Sequence, residues 1–189
     1  NGADGMYFAL QPISTSVGNS GGGMGFEGVF PSIGVELDTY QNSNPPQDPF
    51  SDHVSIMRNG NIIHTSSNNL AGPVNISATS VNVEDCAWHD MRITWDAATH
   101  TLSVFFDCQL RVSYTGDIVN TTFGGNPNVF WGFTSGTGSL SNFHRVCLNY
   151  TTALDALSDT TICLGETVNL SVPTGFTSYQ WQPNYNISS

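Results

Sequence analysis

Residues 35–54, VELDTYQNSNPPQDPFSDHV, decide how the rest of this chain is interpreted. The segment opens as a β-strand, and because side chains alternate along a strand, Glu36 and Asp38 lie on one face. A loop rich in Asn, Pro and Asp follows, and Asp48 and His53 close it before apolar residues resume. Oxygen-rich clusters suit Ca²⁺, and an added imidazole suits a transition ion such as Mn²⁺. The segment predicts a metal site; the alternative is a solvated acidic loop.

Composition limits the function classes. Among 189 residues there are 15 acidic and 4 basic side chains, which gives a net charge of −11 and a pI near 4.3. With so few bases no basic patch can form, which argues against nucleic acid and anionic membranes as partners. No apolar run is long enough to span a bilayer, so no membrane insertion is expected. The hydrophobic content of 39% suffices for a core, and the absence of long helical periodicity predicts an all-β chain.

The order Glu-Leu-Asp-Thr-Tyr-x-Asn, followed by Asp-Pro and a His five residues after that Asp, resembles the metal loop of the L-type (legume-type) lectins. The resemblance implies a Mn²⁺-like ion held by Glu36, Asp38, Asp48 and His53. It also implies Ca²⁺ held by Asp38, the carbonyl of Tyr40, Asn42 and Asp48. The loop is about one residue longer than the closest family pattern, which leaves Asn44 and Asp52 as alternative ligands. Whether both ions bind, or Ca²⁺ alone, stays open.

Two earlier segments resemble the same family. Ala3-Asp4-Gly5 matches a motif whose Asp accepts hydrogen bonds from sugar hydroxyls, and whose Ala–Asp peptide bond is cis. By resemblance, Asp4 is a sugar ligand and the Ala3–Asp4 bond is cis; otherwise Asp4 is an ordinary turn residue. The glycine-rich stretch 18–28 is expected to present a backbone N–H to the sugar, at Gly22 or at its neighbours Gly21 or Gly23. A flexible loop is the alternative.

The resemblance completes the carbohydrate site with residues from the metal loop and from a later strand–loop–strand at 130–146. The ring of Tyr40 is expected to stack on the sugar, and the loop after the strand to contact it and set specificity. The expected carbohydrate-binding residues are Asp4, Gly22, Tyr40, Asn42, Ser139 and Leu140.

Strand signals outside these motifs predict a framework. An apolar strand is expected at 6–10, and a hairpin at 53–64 turning at Asn59-Gly60, with His64 as a structural residue. Residues 88–95 and 102–106 alternate well and predict a second hairpin. Cys86 and Cys108 lie near the ends of that hairpin and close to register, which predicts a disulfide between them.

The resemblance covers residues 1–150 and implies a concanavalin A-like antiparallel β-sandwich, or jelly roll, whose N-terminal strands lie upstream of Asn1. The predicted domains are a lectin-like carbohydrate-binding domain at 1–152 and, at 153–189, a linker with an incomplete Ig-like or PKD-like module. Such modules are repeated in large bacterial surface proteins. A secreted or cell-surface protein is expected, in keeping with its four cysteines.

The function expected from the sequence is metal-dependent binding of glycans, polysaccharides or glycoproteins, without catalysis. One alternative is a glycoside hydrolase on the same sandwich, since a large group uses Glu-x-Asp-x-x-Glu on a strand. Here Gln41 stands where the second catalytic Glu belongs. Another alternative is a structural spacer in an adhesin, which leaves the acidic loop and Ala3-Asp4-Gly5 unexplained.

Overall fold

The computed structural model describes residues 2–43 and 47–148. Contacts divide the chain into two compact units, Asn1–His144 and Arg145–Ser189, and the fold below is that of the first. The lectin-like domain predicted at 1–152 extends a few residues past that unit, and the Ig-like or PKD-like module predicted at 153–189 lies outside the described residues.

Within the described residues, eight strands are antiparallel to their neighbours and form two sheets. The first sheet has five strands in the order β4-β3-β2-β1-β8, and the second has three in the order β5-β6-β7. The strands are β1 (Gly5–Gln11), β2 (Ile33–Asp38), β3 (His53–Arg58), β4 (Asn69–Asn75), β5 (Met91–Asp96), β6 (Thr101–Phe106), β7 (Gln109–Thr115) and β8 (Phe130–Gly136). The all-β architecture predicted from composition is confirmed in its main feature, since the fold is mostly β with antiparallel sheets, which is consistent with a sandwich.

Helical structure among the described residues is confined to a 3₁₀ turn at Gly21–Gly23 and the short helix α1 (Ile118–Thr121). No helix in this part of the chain has the length and apolarity needed to cross a membrane.

Strand alternation divides the side chains of the five-stranded sheet between two faces. On the inner face, Val35 and Ile56 join Leu102 and Val104 of the three-stranded sheet in one buried apolar cluster. On the outer face a second cluster forms, in which the rings of Tyr7 and Phe26 stack with centroids 4.4 Å apart. Because Glu36 and Asp38 alternate with Val35, both acidic side chains lie on the outer face.

The hairpin predicted at 88–95 and 102–106 is confirmed as β5 and β6, which pair from Met91↔Phe106 to Asp96↔Thr101. The hairpin predicted at 53–64 is wrong beyond its turn. Asn59 and Gly60 do turn with φ of 61° and 62°, but the following residues form no strand, and β3 pairs with β2 and β4 instead. The turn is anchored elsewhere, since Gly60 N–H donates to Ser32 Oγ at 2.9 Å. The next residues then cross the outer face, where Ile62 packs on the second apolar cluster.

The predicted Cys86–Cys108 disulfide is also wrong. Cys108 is disulfide-bonded, but Cys86 is a free, exposed cysteine. The register explains the difference: β5 begins only at Met91, so Cys86 lies in an irregular segment rather than opposite the end of β6.

We therefore expect Cys86 to react with iodoacetamide in the folded, unreduced protein, because its thiol is exposed. Cys86→Ser should change the free energy of unfolding by no more than about 0.5 kcal/mol, as is usual for a surface substitution. Peptide mass spectrometry locates the label. An unlabelled Cys86 peptide would place this thiol in a disulfide after all.

Candidate metal centre and the adjoining Asp4 loop

The register of β1, β2 and β3 gathers the acidic residues of the outer face. Asp38 lies directly opposite His53 on β3, and Glu36 lies opposite Tyr7 on β1. The phenol of Tyr7 donates to Glu36 Oε1 at 2.5 Å. Strand pairing alone thus brings two carboxylates and one imidazole to adjacent positions.

The loop after β2 returns Asp48 to the same place. Asn42 N–H donates to Asp48 Oδ2 at 2.7 Å, and Asp48 N–H donates to the Asn42 carbonyl at 3.0 Å. Tyr40 N–H donates a hydrogen bond to Asp38 Oδ1 at 2.7 Å. These bonds fix the ends of the loop, while Asn44, an alternative ligand in the sequence prediction, lies outside the described residues.

The buried groups face one another at metal-ligand spacing. His53 Nε2 lies 3.8 Å from Asp48 Oδ1 and 3.9 Å from Glu36 Oε2, with each side chain at most 1% exposed. Ligand atoms of Asp38, Asp48 and His53 all lie within 4.8 Å of one another. The predicted Mn²⁺-like ligand set is therefore together on one face of the sheet.

Two atoms of this set, Asp48 Oδ1 and His53 Nε2, are buried without a hydrogen-bond partner. Buried polar atoms are normally paired, because leaving them unpaired costs about 1–3 kcal/mol. A divalent cation would satisfy both atoms at once. The donor set of carboxylates and imidazole fits such an ion.

The charges of the cluster support the same reading. Burial, together with the charge of Glu36, raises the pKa of Asp38 to about 9, and burial raises the pKa of Asp48 to about 6. Burial lowers the pKa of His53 to about 4, so this imidazole is neutral, the form that binds metals. A bound cation would instead lower the pKa of both carboxyls.

Three arginines of the described residues have contacts elsewhere and do not compensate the charge of these carboxylates. Arg58 bonds Asn68, Arg92 lies over the ring of Phe105, and Arg111 bonds the Asn75 carbonyl. Lysine is absent from the sequence, since all four basic residues are Arg.

His64 belongs to the cluster, which the sequence analysis missed by assigning it to the framework. Its Nε2 lies 2.8 Å from Glu36 Oε2, its Nδ1 lies 3.3 Å from Asp48 Oδ1, and its ring meets that of His53 edge-on. Burial lowers its pKa, but the hydrogen bond and charge of Glu36 raise it above the usual value overall. The one available signal was a histidine in a segment otherwise rich in strand residues.

Asp52, the other alternative ligand, points elsewhere. Its Oδ2 accepts from Val83 N–H at 2.7 Å, and its backbone pairs with Val81 and Ile76. It therefore anchors the segment after β4 and takes no part in the clusters of potential ligands among the described residues.

Asp4, which immediately precedes β1, is hydrogen-bonded directly to the residue that follows Asp38. Thr39 N–H and its hydroxyl both donate to the Asp4 carbonyl, at 3.0 and 3.2 Å. Asn142 holds the same place from the other side, since its side chain donates to Thr39 Oγ1 at 2.8 Å and its N–H to the Ala3 carbonyl at 2.9 Å. The Ala3–Asp4 peptide bond is cis, which confirms that prediction.

The Asp4 carboxylate is 5% exposed and its Oδ2 has no hydrogen-bond partner. Burial raises the pKa of this carboxyl, against an opposing effect of His144. A buried carboxylate oxygen without a donor is suited to accept from a ligand hydroxyl. Asn142 was not singled out from the sequence, because its contacts join residues more than one hundred positions apart.

The glycine-rich stretch and the loop after β8 border Asp4. Asp4 N–H donates to the Gly136 carbonyl, and a side-chain carbon at Gly136 would stand 2.1 Å from the Gly21 carbonyl oxygen. A side-chain carbon at Gly138 would lie 3.5 Å from Asp4 Oδ1. The exposed residues Ser139 and Leu140 follow in that loop, and Gly22 is exposed with open space around it. Tyr40 and Asn42, at the metal loop, are each partly buried.

Comparison with known proteins gives two findings. The profile of the legume lectin β-barrel domain, the L-type lectin family, matches residues 1–150. Among solved structures, basic winged bean lectin, crystallised with Tn-antigen, is similar to this chain at 25% identity with a TM-score of 0.53. The match covers 72% of this chain and 54% of that one, so this chain spans about half the length of the bean lectin.

Proposed function

Because this chain belongs to the L-type lectin family, we propose that it binds carbohydrate at a site whose loops are held in place by divalent cations. The observation that carries the proposal is the link between the two halves of the site. Thr39 follows Asp38 directly and bonds the Asp4 carbonyl, so an ion that fixes the end of β2 also fixes Asp4.

The ions would supply rigidity and positive charge. Glu36, Asp38, Asp48 and His53 would hold a Mn²⁺-like ion, and Asp38, the Tyr40 carbonyl, Asn42 and Asp48 would hold Ca²⁺. Cations at these positions would compensate the buried carboxylates and keep the loop in one conformation. Preorganisation of this kind raises affinity by reducing the entropy lost on binding.

The sugar would bind against the Asp4 carboxylate. A charged carboxylate can accept from two hydroxyls at once, which discriminates their configuration. The Asn42 side chain and the Gly22 N–H would add polar contacts, and the ring of Tyr40 would stack on the sugar. Ser139 and Leu140, in the loop next to Asp4, would contact the rest of the glycan. That basic winged bean lectin is described with Tn-antigen supports glycans as the partner class.

The hydrolase alternative is not favoured by the geometry. Retaining hydrolysis needs two carboxyl groups that reach the glycosidic bond. Glu36 is hydrogen-bonded to Tyr7 and His64, and Asp38 accepts from Tyr40 N–H, so both carboxyls are already engaged within the protein; as metal ligands both would stay ionised and could not donate a proton. Membership of a lectin family likewise favours binding without catalysis.

We also propose an extracellular setting, secreted or at the cell surface, in a larger bacterial protein. The disulfide at Cys108 supports an oxidising compartment. A spacer role does not account for the buried, unpaired oxygen of Asp4.

The proposal predicts that Asp4→Asn lowers glycan affinity at least about 100-fold, because a charge-assisted pair of hydrogen bonds is lost. Ca²⁺ affinity should stay within about threefold, since Asp4 is not a predicted ligand. A glycan array with and without chelator identifies the sugar, and titration calorimetry then measures both affinities.

Asp90→Asn provides the matched control, because it removes one exposed carboxylate away from the cluster. Its glycan binding should equal that of the parent. If Asp4→Asn binds glycans as well as the parent does, Asp4 is only a turn residue and the binding site lies elsewhere.

A further inference from the structure

The metal cluster contains a second imidazole, that of His64, which the family ligand set does not include. Glu36, His53 and His64 offer ligand atoms that all lie within 4.8 Å of one another, and all three side chains are buried. His64 Nδ1 has no hydrogen-bond partner, although its side chain is only 4% exposed. The unpaired atoms of this cluster are thus a carboxylate oxygen of Asp48 and one nitrogen each from His53 and His64.

The spacing fits shared coordination. An ion with bonds of about 2.1 Å places neighbouring ligand atoms about 3.0–3.5 Å apart. His64 Nδ1, the nitrogen without a hydrogen-bond partner, lies 3.3 Å from Asp48 Oδ1 and so falls in this range, while Nε2 is hydrogen-bonded to Glu36 Oε2 at 2.8 Å. The present ring orientation sets one nitrogen against each carboxylate, whereas a ring flip would put the carbons Cδ2 and Cε1 there, so these two contacts fix the orientation of the ring.

We infer that His64 is a direct ligand of the ion proposed at Glu36, Asp38, Asp48 and His53, which makes this a site with two imidazoles that prefers Zn²⁺ over Mn²⁺. Imidazole suits Zn²⁺, Ni²⁺ and Cu²⁺, whereas Mn²⁺ favours oxygen donors and is the weakest-binding of the divalent first-row ions. Two nitrogens beside the carboxylates of Glu36 and Asp48 shift the donor set toward the stronger-binding ions. This inference rests on the proposed metal-supported site and identifies the ion it takes.

A His64→Gln variant tests the preference, because the carboxamide keeps an oxygen donor while removing the nitrogen. In the full chain, stripped of metal and resupplied with Ca²⁺, titration calorimetry should show Zn²⁺ affinity about 100-fold lower in the variant. Mn²⁺ affinity should change by no more than about fivefold, since oxygen suits that ion. Equal losses for both ions, or none for Zn²⁺, would overturn the inference.

His89→Gln is the matched control. His89 also bridges two carboxylates, with Nδ1 2.8 Å from Asp107 and Nε2 3.2 Å from Asp85, but both acids are exposed. The affinity of the buried site for Zn²⁺ should be the same in this variant as in the parent.

A measurement on the parent protein guards against a misfolded variant. Pulsed EPR of the protein with one equivalent of Cu²⁺ should show two coordinated imidazole nitrogens; one nitrogen would limit His64 to a hydrogen bond. Glycan binding by the parent protein reports separately on the proposed function. A parent that binds glycan but shows a single nitrogen refutes only the role of His64, whereas a parent that binds no glycan with any ion refutes the lectin proposal.

Discussion

Asp38→Asn is expected to abolish metal binding and glycan binding together. Asp38 belongs to both predicted ion sites, is buried opposite His53, and directly precedes Thr39, which holds Asp4. Losing a charged ligand should lower metal affinity at least about 100-fold, since even indirect partners of metal ligands are worth 10–100-fold. Without the ion, the loop that positions Asn42 and Asp4 loses its support.

The same substitution should have opposite effects on stability with and without metal. With metal at about a thousand times the parent's dissociation constant, the parent gains about 4 kcal/mol, whereas a variant that binds about 100-fold more weakly gains only about 1.4 kcal/mol. The difference of about 2.7 kcal/mol corresponds to a melting temperature about 5–10 °C lower for the variant. In chelator the variant should be at least as stable as the parent, because burial and Glu36 make the charged carboxylate of Asp38 unfavourable.

Differential scanning calorimetry at pH 7 measures the melting temperatures of parent and variant, once with metal and once with chelator. Asp96→Asn is the matched control, since Asp96 also ends a strand and accepts from the N–H two residues ahead, but is exposed. That control should keep the full metal-dependent gain. A variant at Asp38 that melts below the parent by the same margin in both conditions would assign Asp38 a purely structural role.

The stabilisation by metal is expected to increase as the pH rises from 7 to 9. The folded-state pKa of Asp38, raised to about 9, lies above its unfolded value of 3.8, so the folded apo protein binds the extra proton. The stability linked to that proton is present at low pH and is lost as the pH rises through this window. His64, whose pKa is also raised, acts in the same direction. The pKa values of about 6 for Asp48 and about 4 for His53 lie below the window.

Metal binding has the opposite dependence, because ions bind the deprotonated ligands. Each proton that the metal displaces increases the stabilisation by metal by up to about 1.4 kcal/mol per pH unit. Melting curves at pH 7, 8 and 9 should therefore diverge, with the chelated protein losing stability relative to the loaded one. Asp38→Asn in chelator should show a shallower slope than the parent. Parallel curves for loaded and chelated parent protein would contradict a metal at this cluster.

Short-range patterns predicted correctly the parts of the site that lie on one strand or in one motif. The alternation of Glu36 and Asp38 placed both on one face of β2, since that periodicity is a property of any strand. The cis bond at Ala3–Asp4 was implied by the resemblance of the Ala3-Asp4-Gly5 motif to the lectin family. The hairpin of β5 and β6 was equally local.

Predictions failed where a local signal competed with a distant contact. Asn59-Gly60 is a strong hairpin turn, yet its anchor to Ser32 sends the following residues across the outer face instead of back along β3. The same path carries His64 to Glu36, which is 28 positions away. Cys86 was assigned to Cys108 by extrapolating the β5–β6 register beyond the point where β5 starts.

The sequence by itself therefore determined the β architecture, the acidic face of β2 and the resemblance to a lectin family, because composition, strand alternation and short motifs can all be recognised without knowing which distant residues meet. Only the tertiary structure decided that His53 lies opposite Asp38, that His64 joins the cluster, and that Thr39 and Asn142 hold Asp4. Those contacts depend on strand register and on the path of loops between strands. Both result from packing the whole sheet against its apolar clusters, which no single segment encodes.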